Sequence, residues 1–450
     1  MSLTATSTTR LAPAQPERIG KYRVLRRLGE GTTAEVFLCH DEFNDREVAI
    51  KRVRPEMLAD ARDGHYFERF FAAEAALAGR LEHPNVVQIF DAVPDPAGPY
   101  LVMEYFGGTT LREFCRPDRL LPLEQVVEIG FKCAMALGYC YRQGLVHRDV
   151  KPANILASTR GGLVTDVKVT DFGSVLNLRA EVTQVHRVGS LAYMAPEQID
   201  GAELDCRADI YALGAVLYHL ITGRPPFDGT SQAAIVQKIM HAQPLAPSTM
   251  RPGVSAAVDQ VVLAALAKRP ADRHADWDAF GQALSGLIAQ QHVPRGDLQG
   301  VLASERFNLL RKLDFFNGFG DAQLWEVVQR AKWQRFQVGH ALYRRGEEGR
   351  TFHIIAKGEV EVVRDGRRVA HLGAGTSVGE MAYLAPSEDL RRHSTDVTVT
   401  EPATTISFTP QTIEHLSPGC RHLFHESFIR VLVRRLHAAH EALAHPRRIL

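Results

Sequence analysis

The sequence HRDVKPAN, from His147 to Asn154, brings a carboxylate, an ammonium group and a carboxamide together in one short segment. The carboxylate of Asp149 can accept a proton from an attacking hydroxyl, and the Lys151 ammonium can offset the negative charge of a phosphoryl group in transfer. The amide oxygen of Asn154 can coordinate a metal ion. Each residue alone is common as a salt-bridge partner, a turn residue or a helix cap, whereas the ordered set indicates phosphoryl transfer.

Residues on both sides of this segment supply the groups that a nucleoside triphosphate requires. Asp171, in the sequence DFG, can chelate the Mg²⁺ ion that bridges the β and γ phosphates. Lys51, in VAIK, can neutralise the α and β phosphates, and Glu74 can hold that lysine by an ion pair. Gly29 and Gly31, in LGEGTTAEVF, allow the backbone to approach a phosphate, although two glycines in a hairpin are more often only a turn.

These motifs, together with YMAPEQ (Tyr193–Gln198), resemble the protein kinase superfamily and, within it, the bacterial eukaryotic-like serine/threonine kinases. The resemblance covers about Tyr22–Leu287 and implies a two-lobed fold with ATP and Mg²⁺ between the lobes. It also implies that Asp209 props the catalytic loop and that Arg273 pairs with Glu197.

The resemblance assigns the site residues one by one. Met103 would be the gatekeeper, and backbone groups around Glu104 and Phe106 would hold the adenine. By the same resemblance the catalytic residues are Asp149, Lys151, Lys51 and Glu74, the metal ligands are Asn154 and Asp171, and the ATP-binding residues are Gly29, Gly31, Val36, Ala49, Lys51, Met103, Glu104 and Phe106.

The resemblance also bears on substrate class and activation. Lys151 is typical of kinases that act on serine or threonine, and Arg148 of those in which a phosphate on the activation segment pairs with this arginine. Thr183 is the best phosphoacceptor in that segment, and Ser190 is interpreted as a substrate-facing residue in contact with the catalytic loop. Ala34 stands where a third loop glycine is usual, which predicts a stiffer loop.

The carboxyl-terminal part of the chain has a different pattern. The sequence GEVEVVRDGRRVAHL alternates valines with glutamates, and Asp365-Gly366 is a hairpin turn signal. From about Asn308 to His440 the chain resembles the cyclic-nucleotide-binding domain family, which implies a β-roll flanked by helices. Fold alone does not establish ligand binding, so the pocket residues need separate consideration.

In ligand-binding members of that family, a Gly-Glu pair at the start of a short helix and a nearby arginine hold the ribose and the cyclic phosphate. Gly379 and Glu380 match the pair. Counting back from the following strand places His393 at the arginine position, whereas Arg392 and Arg391 lie one and two residues earlier. A slip of one residue turns a side chain to the opposite face, although a bulge could restore it. Two hypotheses stay open: a cAMP or cGMP site that includes Arg392, or a docking surface without nucleotide.

Composition limits the partners of the chain. Its 450 residues include 53 Lys and Arg against 52 Asp and Glu, and a net charge of +1 gives no reason to expect nucleic acid or a membrane as partner. The six cysteines form no CxxC pair, which predicts reduced thiols in a cytoplasmic protein. The longest apolar run, Ile210–Gly223, is shorter than the ~20 residues that a bilayer requires, so we predict a buried core helix there.

We therefore predict an α+β protein with a two-lobed protein kinase fold followed by a β-roll domain. It would be a serine/threonine kinase that transfers the γ-phosphoryl group of ATP to protein hydroxyls and is regulated by the β-roll. The alternative is a silent kinase-fold scaffold whose β-roll is a sensor or docking module, against which Lys51, Asp149 and Asp171 argue because all are present. The predicted segments are a disordered tail (1–20), a kinase domain (21–288), a linker (289–306), a cyclic-nucleotide-binding-like domain (307–440) and a second tail (441–450).

Overall fold

The structure is a computed structural model that describes residues 16–31, 34–54, 71–72, 74–95, 98–172, 191–294, 302–387 and 390–444. The chain forms two compact units that divide between Gly281 and Gln282. Both units contain helices and sheets, which confirms the predicted α+β class. The predicted domain limits remain predictions.

The first unit begins with an antiparallel six-stranded sheet. Its strands are β1 (Arg18–Ile19), β2 (Tyr22–Glu30), β3 (Ala34–Asp41), β4 (Arg46–Val53), β5 (Ile89–Val93) and β6 (Tyr100–Glu104), in the order β1-β2-β3-β4-β6-β5. Alternation along β4 buries Val48 and Ile50 in the core on one face of the sheet. Ala49 and Lys51 therefore lie on the other face, where a ligand could reach them.

Most of the remaining first unit is helical. Its helices are α1 (Leu123–Arg142), α2 (Pro196–Ile199), α3 (Cys206–Thr222), α4 (Gln232–His241), α5 (Pro247–Met250), α6 (Ala256–Ala265) and α7 (Trp277–Ala289), in which the chain passes to the second unit. Helix α3 begins at Asp205, whose side chain accepts a hydrogen bond from the Arg207 N–H, and ends at Gly223 with φ of 74°. Nearly all of α3 is buried, which confirms the predicted core helix. Among the helices of the described residues, we find no apolar stretch that could span a bilayer.

A small sheet carries the segment HRDVKPAN. Its strands are β7 (Thr109–Thr110), β8 (Ile155–Arg160) and β9 (Leu163–Val169), neighbours in that order. A short 3-10 helix, Pro152–Asn154, leads into β8, and Ile155 pairs with Val169 at the open end of the β8–β9 hairpin. This pairing places Asn154 and Asp171 at the same end of the sheet.

The second unit contains a β-roll. Its strands are β10 (Lys332–Phe336), β11 (Ala341–Tyr343), β12 (Phe352–Arg364), β13 (Arg367–Leu372), β14 (Ser377–Val378) and β15 (Asp396–Phe408). They follow the order β10-β15-β12-β13, with β11 paired to β15 and β14 to β12. Asp365 and Gly366, with φ of 52° and 74°, form the predicted two-residue turn between β12 and β13.

Helices flank the β-roll and pack on it through aromatic rings. They are α8 (Ala303–Leu310), α9 (Asp321–Arg330), α10 (Glu380–Tyr383), α11 (Pro410–Glu414) and α12 (Pro418–Ala444). On α12, the Phe424 ring centroid lies 5.0 Å from that of Phe408, and Phe428 lies 4.9 Å from Phe352. Leu436, two turns beyond Phe428 on this helix, is 57% exposed. The first half of α12 is therefore held by apolar packing, whereas Leu436 in the second half does not take part in it.

Candidate active site

The ammonium group of Lys51 is shared by two carboxylates. Its Nζ donates to both oxygens of Glu74 at 3.0 Å and to Oδ1 of Asp171 at 2.5 Å. Burial opposes the charged form of Lys51, but the carboxylates of Asp171 and Glu74 outweigh it and raise the lysine pKa. The same ammonium lowers the pKa of Asp171 to about 2 although burial opposes the shift. Lys51 and Asp171 are thus both charged at neutral pH.

Asp149, Lys151 and Asn154 form one hydrogen-bonded group. The Lys151 Nζ donates to Oδ2 of Asp149 at 2.6 Å, and Nδ2 of Asn154 donates to the same oxygen at 3.0 Å. Nδ2 of Asn154 also donates to the Asp149 carbonyl at 2.9 Å, so its amide oxygen is the group it can offer to a cation. Oδ1 of Asp149 makes neither side-chain bond and can accept a hydroxyl proton.

Asp209 supports the backbone of this loop, as the resemblance implied. Its carboxylate is buried and accepts hydrogen bonds from the backbone N–H groups of His147 at 2.6 Å and Arg148 at 2.8 Å. Arg148 has φ of 64°, in the left-handed region, and Gln198 donates to its carbonyl at 2.9 Å. These bonds fix the turn from which Asp149 projects.

The pair between Arg273 and Glu197, also implied by the resemblance, is present. The guanidinium of Arg273 donates to the two carboxylate oxygens at 2.6 and 2.7 Å. It also donates to the carbonyl oxygens of Ala267 and Arg207, each at 2.8 Å. The Arg273 side chain is fully buried, so this bidentate pair anchors the YMAPEQ segment to the helical part of the unit.

The predicted gatekeeper, Met103, and Glu104 end strand β6, and Phe106 follows two residues later. Met103 is buried and pairs in register with Ala49 on β4. The Glu104 carboxylate accepts a hydrogen bond from the Nζ of Lys168 at 2.9 Å, and this ammonium lies 5.9 Å from the Phe106 ring centroid. Sequence reasoning missed Lys168 because its partner is distant in sequence and no local motif marks the pair.

Backbone hydrogen bonds join the described residues on the two sides of the glycine-containing loop. The Gly31 N–H donates to the Ala34 carbonyl at 2.8 Å, and Gly29 lies opposite Val36 in the pairing of β2 with β3. A Cβ added at Gly29 would meet no atom within 4 Å, so packing does not require glycine there. Two further predicted residues of the kinase region, Thr183 and Ser190, lie outside the described residues.

In the β-roll, Gly379 and Glu380 form the start of helix α10. Gly379 has φ of 84°, and a Cβ there would lie 2.5 Å from the Tyr343 hydroxyl oxygen, so the position requires glycine. Glu380 is 1% exposed, and its Oε1 accepts a hydrogen bond from Nη1 of Arg435 on α12. Nη2 of Arg435 donates to the Ser377 carbonyl at 2.6 Å. Arg435 is a second residue that sequence reasoning missed.

His393 faces the interior of the β-roll, and Arg392 faces solvent. His393 is buried, with its ring centroid 3.9 Å from that of Tyr343, and burial lowers the pKa of its imidazole. Nη1 of Arg392 donates to the Gly346 carbonyl at 2.8 Å, and Arg391 also donates to a backbone carbonyl. The pocket residues predicted from sequence therefore separate: Gly379 and Glu380 adjoin each other, while Arg392 is bonded elsewhere.

Comparison with known proteins agrees with the geometry of the first unit. Residues 22–283 match the family model described as protein kinase domain. The chain belongs to the protein kinase family. Residues 333–417 of this kinase match the model described as cyclic nucleotide-binding domain, which confirms the second predicted resemblance.

Relatives of the kinase include bacterial serine/threonine-protein kinases named PknB. The protein from Mycobacterium leprae is 39% identical over 267 residues, which is 58% of this chain and 42% of the relative. The protein from Mycolicibacterium smegmatis is 38% identical over 299 residues, which is 64% of this chain and 46% of the relative. The chain thus spans less than half the length of these relatives.

The residues of this kinase fit Mg²⁺ and a polyphosphate. Asp171 and Asn154 offer the hard oxygen ligands that Mg²⁺ prefers, and the Thr170 N–H donates to the Asn154 carbonyl at 2.9 Å, which holds the two segments side by side. Lys51 supplies a cation bonded to Asp171. These are the groups that neutralise phosphates in phosphoryl transfer.

The β-roll of the kinase does not fit a cyclic phosphate. The position expected to hold an arginine holds the neutral imidazole of His393. Arg435 does contact Glu380, but both of its terminal nitrogens are engaged and its charge is balanced by that carboxylate. The match to the domain family therefore supports the fold, while the residues that would bind the phosphate are absent from their expected place.

Proposed function

We propose that this chain is a serine/threonine protein kinase that transfers the γ-phosphoryl group of ATP to protein hydroxyls. The observation that carries the proposal is the arrangement of Lys51 between Glu74 and Asp171, together with the Asp149, Lys151 and Asn154 group. The similarity to the PknB proteins supports the choice of serine and threonine as acceptors.

The role of each residue follows from its contacts. Asp171 and Asn154 would hold Mg²⁺, which when bound supplies positive charge to the β and γ phosphates. Lys51, fixed by Glu74, would orient the phosphates. Oδ1 of Asp149 would orient the substrate hydroxyl and accept its proton, and the Lys151 ammonium would stabilise charge on the group in transfer.

Phosphate transfer from labelled ATP to a protein mixture tests the catalytic proposal. Asp149→Asn keeps the size of the side chain and removes the proton acceptor, so transfer should fall below detection while ATP still binds. A matched control is Asp205→Asn, which changes a carboxylate outside the cleft and should leave transfer near the wild-type rate. If Asp149→Asn retains near wild-type turnover, the role assigned to Asp149 is wrong. If the wild-type chain binds ATP without transferring phosphate, the scaffold alternative is correct.

We further propose that the β-roll unit regulates the kinase. Its presence in one chain with a complete catalytic group supports this proposal. A change in activity of ~10- to 100-fold requires only ~1.4 to 2.7 kcal/mol of differential interaction between two states. Rates of the full chain compared with those of residues 1–294 alone test the idea, and equal rates under all conditions would contradict it.

The sequence also suggested cAMP or cGMP as the regulatory signal. Gly379 and Glu380 support that finer proposal, and the neutral His393 opposes it because a phosphate requires a cation. The rate of the full chain with and without each nucleotide is the direct functional test. The acceptor proteins and the cellular location, predicted to be the cytoplasm, are proposals of the same kind.

A further inference from the structure

The carboxylate of Glu380 is paired with an arginine of the same unit. The residue is 1% exposed, and its Oε1 accepts a hydrogen bond from Arg435. Its other oxygen, Oε2, has no hydrogen-bond partner among the described residues. A carboxylate buried this deeply is costly unless it is paired, so its charge is stabilised by Arg435.

The place where a phosphate would need a cation is filled by a packed, neutral ring. His393 precedes β15 and is buried, as are Val397 and Val399 on that strand. The Tyr343 ring lies against His393, and a Cβ added at Gly349 would lie 2.9 Å from the imidazole. There is thus little room beside the His393 ring for an arginine side chain, and Arg392 faces solvent.

The ion pair of Arg435 with Glu380 lies in the part of α12 that follows the buried aromatic residues. Beyond Phe428, four apolar side chains of the helix are exposed, among them Ile429 at 61% and Val433 at 48%. Arg435 reaches back to the roll through Glu380 and the Ser377 carbonyl. This ion pair therefore joins the distal half of α12 to the β-roll.

We infer that the β-roll of this kinase binds no cyclic nucleotide and that the Glu380–Arg435 ion pair instead clamps the distal half of α12 to the roll. The inference rests on the proposed regulatory role only in that the contact would affect kinase activity if the β-roll regulates the kinase. Both parts of it are measured without kinase activity, so their failure is distinguishable from failure of the proposed function.

Titration calorimetry of the full chain tests the ligand part. With cAMP or cGMP up to ~1 mM, we expect no saturable heat, which corresponds to a binding free energy weaker than ~4 kcal/mol. Saturable binding with Kd below ~100 μM that is lost in Glu380→Gln would overturn the inference. Saturable binding that Glu380→Gln leaves unchanged and that excess ATP displaces would lie at the kinase site and would leave the inference standing. If ATP does not displace it, the inference is overturned.

Hydrogen exchange of the α12 peptides in the full chain tests the clamp. Arg435→Met keeps the apolar stem and leaves Glu380 buried without its cation, so these peptides should exchange at least ~10-fold faster. The neighbouring Arg434 is 70% exposed and lies 3.8 Å from Asp314, so Arg434→Met should change exchange by less than ~2-fold.

The double variant Glu380→Gln/Arg435→Met separates charge from packing. It removes the stranded carboxylate, so it should recover most of the protection that Arg435→Met loses. Exchange as fast as in Arg435→Met would show that the ion pair is not the cause. Equal effects of Arg434→Met and Arg435→Met would also overturn the clamp.

Discussion

Asp209→Asn is the substitution that tests most directly how the catalytic loop is held. The carboxylate accepts two backbone N–H groups, at 2.6 and 2.8 Å, in a site where it is 3% exposed. An asparagine offers one oxygen in place of two and turns an amide N–H toward the other backbone donor. One hydrogen bond is lost and one buried donor is left unpaired.

The cost can be worked from these contacts. Leaving a buried donor without its charged acceptor costs about 2 to 3 kcal/mol, which already includes the lost bond. The expected loss of unfolding free energy is therefore about 2 to 3 kcal/mol. At about 2 to 4 °C for each kcal/mol in a unit of this size, the melting temperature should fall by about 5 to 10 °C. Arg148, at φ of 64°, would also lose a support of its strained conformation.

Scanning calorimetry of the full chain gives the measurement, with the kinase transition identified by its upward shift on adding a non-hydrolysable ATP analogue and Mg²⁺. Turnover should fall by ~10- to 100-fold because the loop that carries Asp149 is displaced. Asp205→Ala is the control: it removes the N-cap of the same helix and should cost only about 1 kcal/mol. Asp209→Asn with stability no lower than that of Asp205→Ala would refute the argument.

Three further predictions follow from single contacts. Lys51→Met should reduce phosphate transfer at least ~100-fold. Adding Glu74→Gln should restore thermal stability, because it removes the buried carboxylate that has lost its cation. The double variant should still not transfer phosphate, because the cation that orients the phosphates is missing. Burial lowers the pKa of His353 from 6.5 to about 4. Between these two pH values the unfolded chain binds more protons than the folded chain, so stability falls as pH falls. The free energy of unfolding of the β-roll should decrease by about 3 kcal/mol at most across this window. Urea titrations from pH 7 to pH 4.5 check this, and a His353→Gln chain with the same slope as wild type would contradict it. Gly379→Ala should lower the melting temperature by several degrees, since a side chain at this positive φ meets the hydroxyl of Tyr343. An unchanged melting temperature would show that position 379 does not require glycine.

The kinase fold of the first unit was predictable because phosphoryl transfer demands fixed residue types in short segments, and the same segments name the proposed catalytic residues. Lys51, Asp149 and Asp171 could be named from VAIK, HRD and DFG, and the structure brings Lys51 and Asp171 into contact. What sequence could not supply are contacts between distant segments whose members carry no motif. The Lys168 ammonium on Glu104 is an example, because a lysine on a strand gives no sign of its partner.

The β-roll was predictable as a fold and much less so as a site. Alternation along β12 and the Asp365-Gly366 turn predict a hairpin wherever they occur, because pleat and turn geometry are local properties. The chemistry of the pocket depends instead on which residue of the short segment before β15 turns inward. Backbone bonds to a distant loop hold His393 in that position: its N–H donates to the Glu347 carbonyl at 2.9 Å, and its carbonyl accepts from the Gly346 N–H at 2.8 Å.

The inward position of His393 explains why a match to the Gly-Glu pair alone does not establish a nucleotide site. A cyclic phosphate pocket has two conditions: a cation on the inner face, and a glutamate free to accept from the ribose. Here the segment carries two arginines, yet the residue that is buried in the roll is a histidine. The second condition is only half met, since Oε1 of Glu380 is paired with Arg435, which lies 55 residues further along the chain, and only Oε2 is left for a ribose hydroxyl. Because each condition is set by a different long-range contact, releasing Arg435 alone would free Oε1 and still leave the phosphate without its cation.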